Sequence, residues 1–243
     1  MTHYGSPSEW TDLLESQVPV ILDVVISTWE TMPPPAGNEL EDTVSEALCR
    51  ALRQSRNRCD LPFRIDTQMV ELDPEAGQDQ GRMDIVFSPP VPREEIYFCL
   101  ECKRLNVREA DGVRPYFAEY VRYGMFRFVR GQYSRSVQSG GMLAFVLDGD
   151  LARAMAGVES NVGNHHRELG MTTPGIFRAS AARPNDDRVR ETEHNRGANL
   201  GSFIIQHLFM AGDPNTPLRP PRTPGAITKP KKKRSRQMSN ITS

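Results

Sequence analysis

The spacing of apolar positions divides this chain into helical and extended stretches. Residues 9–32 (EWTDLLESQVPVILDVVISTWETM) repeat apolar side chains at helical intervals and predict one long amphipathic helix, interrupted or kinked near Pro19. The run Pro33-Pro34-Pro35 with Gly37 ends it, and Asn38 is a good cap for the next helix. That helix is expected over about 39–54, with Val44, Leu48 and Leu52 as its apolar face. Strand candidates follow at 63–72, 81–87 and 95–103, separated by polar or proline-rich turns at 74–80 and 88–94. A helix pattern covers 115–131, and GMLAFVL at 141–147 reads as a strand. A further helix is expected over 149–168, then late strands at 176–182 and 202–210 with a polar loop over 183–199 between them. The order implies an α/β fold: a mixed central sheet flanked by helices, with an N-terminal helix and C-terminal strands added to the core. One domain is expected over 1–212, with its core at about 38–148, and a disordered basic tail over 213–243.

Charges enter this pattern where apolar residues dominate. Residues 81–106 read GRMDIVFSPPVPREEIYFCLECKRLN. Side chains alternate across a strand, so Glu101 and Lys103 share a face while Leu100 and Cys102 take the other. If the two runs pair as a hairpin, Asp84 approaches Glu101 from the neighbouring strand. A strand apolar on both faces is usually central, and a carboxylate there is costly unless paired or metal-bound. Two such carboxylates can hold a hard cation such as Mg²⁺ or Mn²⁺, which keeps most of its waters. A lysine beside them can orient a water and offset charge on a phosphate.

Asp84, Glu101 and Lys103 in this order resemble the PD-(D/E)xK nuclease superfamily, the restriction-endonuclease-like fold, with Met83 standing where the motif has proline. The α-β-β-β-α-β order over 38–148 is the core that superfamily shares. The resemblance implies a Mg²⁺- or Mn²⁺-dependent nuclease acting on DNA. Asp84, Glu101 and the Cys102 carbonyl would bind the metal, and Lys103 would position the attacking water. A glutamate on the first core helix often reaches the metal in such enzymes; Glu41 fits best, then Glu39, then Glu46. The helix after the motif strand often faces the nucleic acid, which nominates Arg127 as a phosphate contact, while the Tyr116, Tyr120 and Tyr123 stripe reads as core packing. The resemblance also implies a bacterial restriction or anti-phage setting. An ATPase or specificity subunit is then a partner, and self-association is compatible with it. A binding or scaffold subunit of the same fold is the alternative.

Composition bounds these readings. Of 243 residues 38% are hydrophobic, enough for a core, and no apolar run is long enough to span a membrane. The start of the chain lacks a secretory pattern, and Cys49, Cys59, Cys99 and Cys102 show no disulfide framework, so a reducing cytoplasmic setting is expected. Cys99 and Cys102 read as small core residues. His165 and His166 read as surface residues, and His207 as a buried structural histidine. Net charge is −1, but eight basic residues and no acids lie from Asn215 onward, leaving −9 on the rest. The run KPKKKRSR, with Lys231, Lys232, Lys233 and Arg234, resembles a nuclear localisation signal and also suits a cationic arm that binds nucleic-acid phosphates.

Overall fold

A computed structural model of the chain describes residues 5–56, 60–70, 81–173 and 177–220. The turn expected at 74–80, the ends of two strand candidates (71–72 and 176), Cys59 and the basic run Lys231–Arg234 lie outside them. Helix α1 (Pro7–Thr31) opens with a capping box, in which Ser6 N–H donates to Glu9 Oε2 at 2.6 Å. It runs unbroken through Pro19, where a break or kink was expected. Buried Leu14, Val18, Ile21, Leu22 and Val25 anchor both flanks, so the missing N–H does not part the helix. Helix α2 (Glu41–Arg56) buries Val44, Leu48 and Leu52, as its spacing predicts. Asn38 has another task than the expected cap. Its Nδ2 donates to the Arg219 carbonyl at 3.1 Å, and its Oδ1 accepts from Arg219 N–H at 2.6 Å.

The strands are β1 (Arg64–Val70), β2 (Arg82–Ser88), β3 (Phe98–Leu105), a short hairpin β4 (Val107–Glu109) and β5 (Gly112–Arg114), then β6 (Ser139–Val146), β7 (Arg178–Ala179), β8 (Val189–Asn195) and β9 (Ser202–Ala211). Seven of them form one mixed sheet in the order β1-β2-β3-β6-β9-β8-β7. Strands β3, β6 and β9 run parallel at its centre, and antiparallel pairs flank them. Every residue of β6 is buried, as expected of a parallel strand covered on both faces.

Helices α1 and α2 cover one face, where Trp29 of α1 stacks on Phe145 of β6 at 5.3 Å. The other face carries a composite helix: α3 (Phe117–Tyr120), a π-helical turn (Val121–Met125) and α4 (Phe126–Val129), with α5 (Leu151–Asn164) packed beside it.

The expected loop over 183–199 contains β8 instead. Its VRETEHN sequence hid it, because the buried polar side chains find partners rather than water. Gln206 Nε2 donates to Glu191 at 3.2 Å. Thr192, His194 and His207 form a buried chain whose donors are fixed by its ends. The Leu169 carbonyl can only accept, so His194 Nδ1–H donates to it at 2.8 Å. The Thr192 hydroxyl must then donate to His194 Nε2 and accept from His207 Nε2–H, each at 2.7 Å. Tyr120 O–H completes the chain by donating to His207 Nδ1 at 2.9 Å. This donor pattern is that of neutral rings, which burial favours by lowering both pKa values, that of His194 to about 4. This chain bolts α3 to β8 and β9.

Past β9 the chain stays attached. Gly212 N–H donates to the Val146 carbonyl at 2.8 Å, Arg108 Nη1 donates to the Thr216 carbonyl at 2.8 Å, and Arg219 pairs with Glu39. Residues 213–220, assigned to the tail from sequence, are thus strapped across the domain to the entrance of α2. Among the described residues no helix is long and apolar enough to cross a membrane.

Candidate active site

The site forms where β2 and β3 part. Their ladder ends at the Ile85–Leu100 pair, one position before Asp84 and Glu101. Beyond it the Asp84 side chain takes over from the backbone, and its Oδ2 accepts the Cys102 N–H at 2.7 Å. Thr67 of β1 donates to the Asp84 carbonyl at 2.8 Å and holds that strand from the far side. Strand alternation then sets the faces, as the spacing predicts. Glu101 and Lys103 face the composite helix, and Cys102 points to α2, beside Ser45.

Lys103 links three acceptors. Its ammonium donates to Glu101 Oε1 at 2.8 Å, Glu41 Oε1 at 2.9 Å and the Cys102 carbonyl at 2.7 Å. Glu41 reaches round the end of the sheet from the first turn of α2, and its Oε2 accepts Arg104 N–H at 3.1 Å. Of the three helix acids, Glu41 alone meets the motif residues: Glu39 holds Arg219, and Glu46 lies beside Arg50 on the surface. The carbonyl of Cys102 is engaged by Lys103.

Arg127 is also part of this cluster. Its Nη1 donates to Glu101 Oε1 at 2.7 Å and to Tyr133 Oη at 2.9 Å, while Tyr133 O–H donates to the Arg82 carbonyl at 2.6 Å. Gly124 packs over this cluster. A Cβ there would lie 2.3 Å from Met142 Cε and 3.7 Å from Glu101 Cγ. The tyrosine stripe divides: Tyr120 is core, whereas Tyr123 stands 62% exposed. Sequence spacing nominated Arg127 but not its carboxylate partner, and nothing in the sequence marked Tyr133, which lies in a loop.

Burial sets the electrostatics. Asp84 is 8% exposed and Glu101 1%. Burial, then the neighbouring Glu101 charge, pushes the Asp84 pKa up to about 7 against the pull of Lys103 and the Cys102 N–H. Burial likewise raises Glu101, opposed by Lys103 and Arg127. Burial alone would favour neutral Lys103, but Glu101, Glu41 and Asp84 outweigh it and keep the ammonium charged.

One buried atom in this cluster is unsatisfied: Glu101 Oε2 has no hydrogen-bond partner. An anionic oxygen left open beside a second carboxylate fits a cation. Among the described residues no three His, Cys, Asp or Glu side chains converge as a metal-binding group. Asp84, Glu101 and the Cys102 carbonyl are the groups that would hold a cation, an oxygen set that suits a hard, largely hydrated ion rather than zinc. Cys99 and Cys102, both fully buried in β3, are core residues. No family model matches the chain, and no curated protein or solved structure matches it.

Proposed function

We propose that this chain is a Mg²⁺- or Mn²⁺-dependent nuclease that hydrolyses phosphodiester bonds in DNA, with a restriction-endonuclease-like core. The observation that carries the reading is Glu101 Oε2, buried and unpartnered beside Asp84, with the Lys103 ammonium on the other oxygen of the same carboxylate. The α2-β1-β2-β3-α3-β6 order supports the fold assignment, since it is the order the sequence motif calls for. Asp84, Glu101 and the Cys102 carbonyl would hold the metal, with Glu41 acting through water. When bound, the metal supplies Lewis acidity and lowers the pKa of its water. Lys103, held charged by three carboxylates, donates rather than accepts protons. All three of its N–H groups are engaged, so it would orient the attacking water by exchanging its bond to the Cys102 carbonyl, and it would offset charge growing on the phosphoryl oxygens. Glu41 fixes the direction of that ammonium.

A non-catalytic binding subunit is the second reading. It is favoured by one observation: Lys103 and Arg127 already neutralise much of the acidic cluster. Help from an ATPase or specificity subunit fits either reading, because the chain before its basic end carries −9. Purified wild type and an Asp84→Ala/Glu101→Ala variant separate them on plasmid DNA in Mg²⁺, with and without candidate partners. The nuclease reading expects cutting by wild type and none by the variant, which should still melt cooperatively. Equal cutting by both would remove these residues from the chemistry. No cutting by wild type under any condition would leave the binding reading.

A further inference from the structure

Resting on the nuclease reading, we propose that Arg127 is an exchangeable counter-ion, which leaves Glu101 for a DNA phosphate when a divalent cation occupies the site. Glu101 Oε1 receives both Lys103 Nζ at 2.8 Å and Arg127 Nη1 at 2.7 Å, while Oε2 receives nothing. A divalent cation on this carboxylate would crowd a third positive group against the first two. The two resident cations are not equally free to yield. Lys103 is held by Glu41 and the Cys102 carbonyl as well, and its side chain is only 11% exposed. Arg127 is 32% exposed and keeps a second partner, Tyr133, when it leaves. Tyr133 is itself fixed to the Arg82 carbonyl and stacked edge-on against Phe128, so it serves as a fixed pivot.

The direction of swing follows from the surroundings. Inward lie Glu101 and the packed π-helical turn; outward lies solvent, with Tyr123 exposed on the same helix. A guanidinium released at that rim is suited to a phosphate diester, which it can bind through two N–H groups. The same exchange imposes an order. Without metal, three carboxylates face two cations, Lys103 and Arg127, and the guanidinium is already engaged, so the site offers a polyanion no free positive group. With metal, charge is compensated and the guanidinium is available.

The test uses the full chain and two binding readouts, neither of them cleavage. Mn²⁺ affinity is measured by calorimetry. DNA affinity is measured with a short phosphorothioate duplex, which keeps its backbone charge and resists hydrolysis, in Mn²⁺ or in EDTA. In Arg127→Ala the loss of a competing cation should tighten Mn²⁺ binding about fivefold. The same variant should bind the duplex about tenfold more weakly in Mn²⁺, with a salt slope lower by about one, and as wild type does in EDTA. Arg127→Gln, which keeps hydrogen-bond donors but not the charge, should shift both affinities in the same directions and stands in if the alanine variant fails to melt cooperatively. Weaker Mn²⁺ binding in both variants would make Arg127 a structural support of the site and overturn the exchange. An equal loss of DNA affinity with and without metal would make it a permanent phosphate contact and would overturn the exchange as well. Either result leaves the nuclease reading standing. Wild type that binds no Mn²⁺ would overturn both.

Discussion

Asp84 carries two duties at once: it closes the backbone of β3 through the Cys102 N–H, and it sits ionisable against Glu101. The Cys102 N–H favours the ionised carboxylate, whereas burial and the Glu101 charge oppose it. Its folded pKa, about 7, lies above the ordinary aspartate value of 3.8, so the folded protein binds the proton more tightly than the unfolded chain. The stability tied to this proton is therefore full below about 3.8 and is lost as pH rises through about 7. Glu101 is shifted the same way. Metal binding runs opposite, because it needs the carboxylates ionised. Added Mg²⁺ should raise the melting temperature more at pH 8 than at pH 6, and in Asp84→Asn most of that pH dependence should vanish. Melting curves at the two pH values decide it; an equal Mg²⁺ effect at both in wild type would mean that Asp84 is already ionised at pH 6.

The composite helix aims Arg127 at Glu101, and it depends on how closely α3 docks on α5. A Cβ at Gly157 of α5 would meet the Phe117 ring at 2.0, 2.3 and 2.5 Å. Gly157→Ala would gain ~1 kcal/mol of helix propensity. The ring cannot yield as a flexible chain end would, and overpacking of this kind costs ~1–3 kcal/mol, so a net loss of stability is expected in denaturant melts. An unchanged midpoint would show that Phe117 turns aside freely. This contact was not legible in the sequence, where Gly157 is one glycine in an alanine-rich helix. The main elements were legible because their apolar periods are strong, as in β6 and α2. The pair β4 and β5 was too short to show a period, and β8 was masked by polar residues whose partners lie on other strands. The same division holds at the site. Glu101 and Lys103 follow from alternation along β3 and Asp84 from the hairpin with β2, while Glu41 comes from the family resemblance together with the stripe of α2. Tyr133 is supported by a contact across 51 positions, to the Arg82 carbonyl, which no local pattern encodes.

At the scale of the whole molecule, the net charge is uneven along the chain, −9 before Asn215 and +8 from there onward. The seven positive charges after Pro220 are the largest reserve of positive charge available to a protein that is otherwise acidic. Truncation after Pro220 should weaken duplex binding, flatten its salt dependence and leave the metal requirement unchanged. The same salt slope in truncated and full-length protein would exclude the arm as a DNA contact. The cut must spare Arg219, because its bonds to Asn38 and Glu39 belong to the folded domain. That latch has a further consequence. It makes the arm's point of departure the entrance of α2, two residues from Glu41, rather than the distant end of β9. If the nuclease reading holds, a basic run tethered there would meet DNA at the site at an effective concentration fixed by chain length, independent of how dilute the protein is. Moved to the other terminus, the same charges would keep their affinity for phosphate and lose that advantage of address.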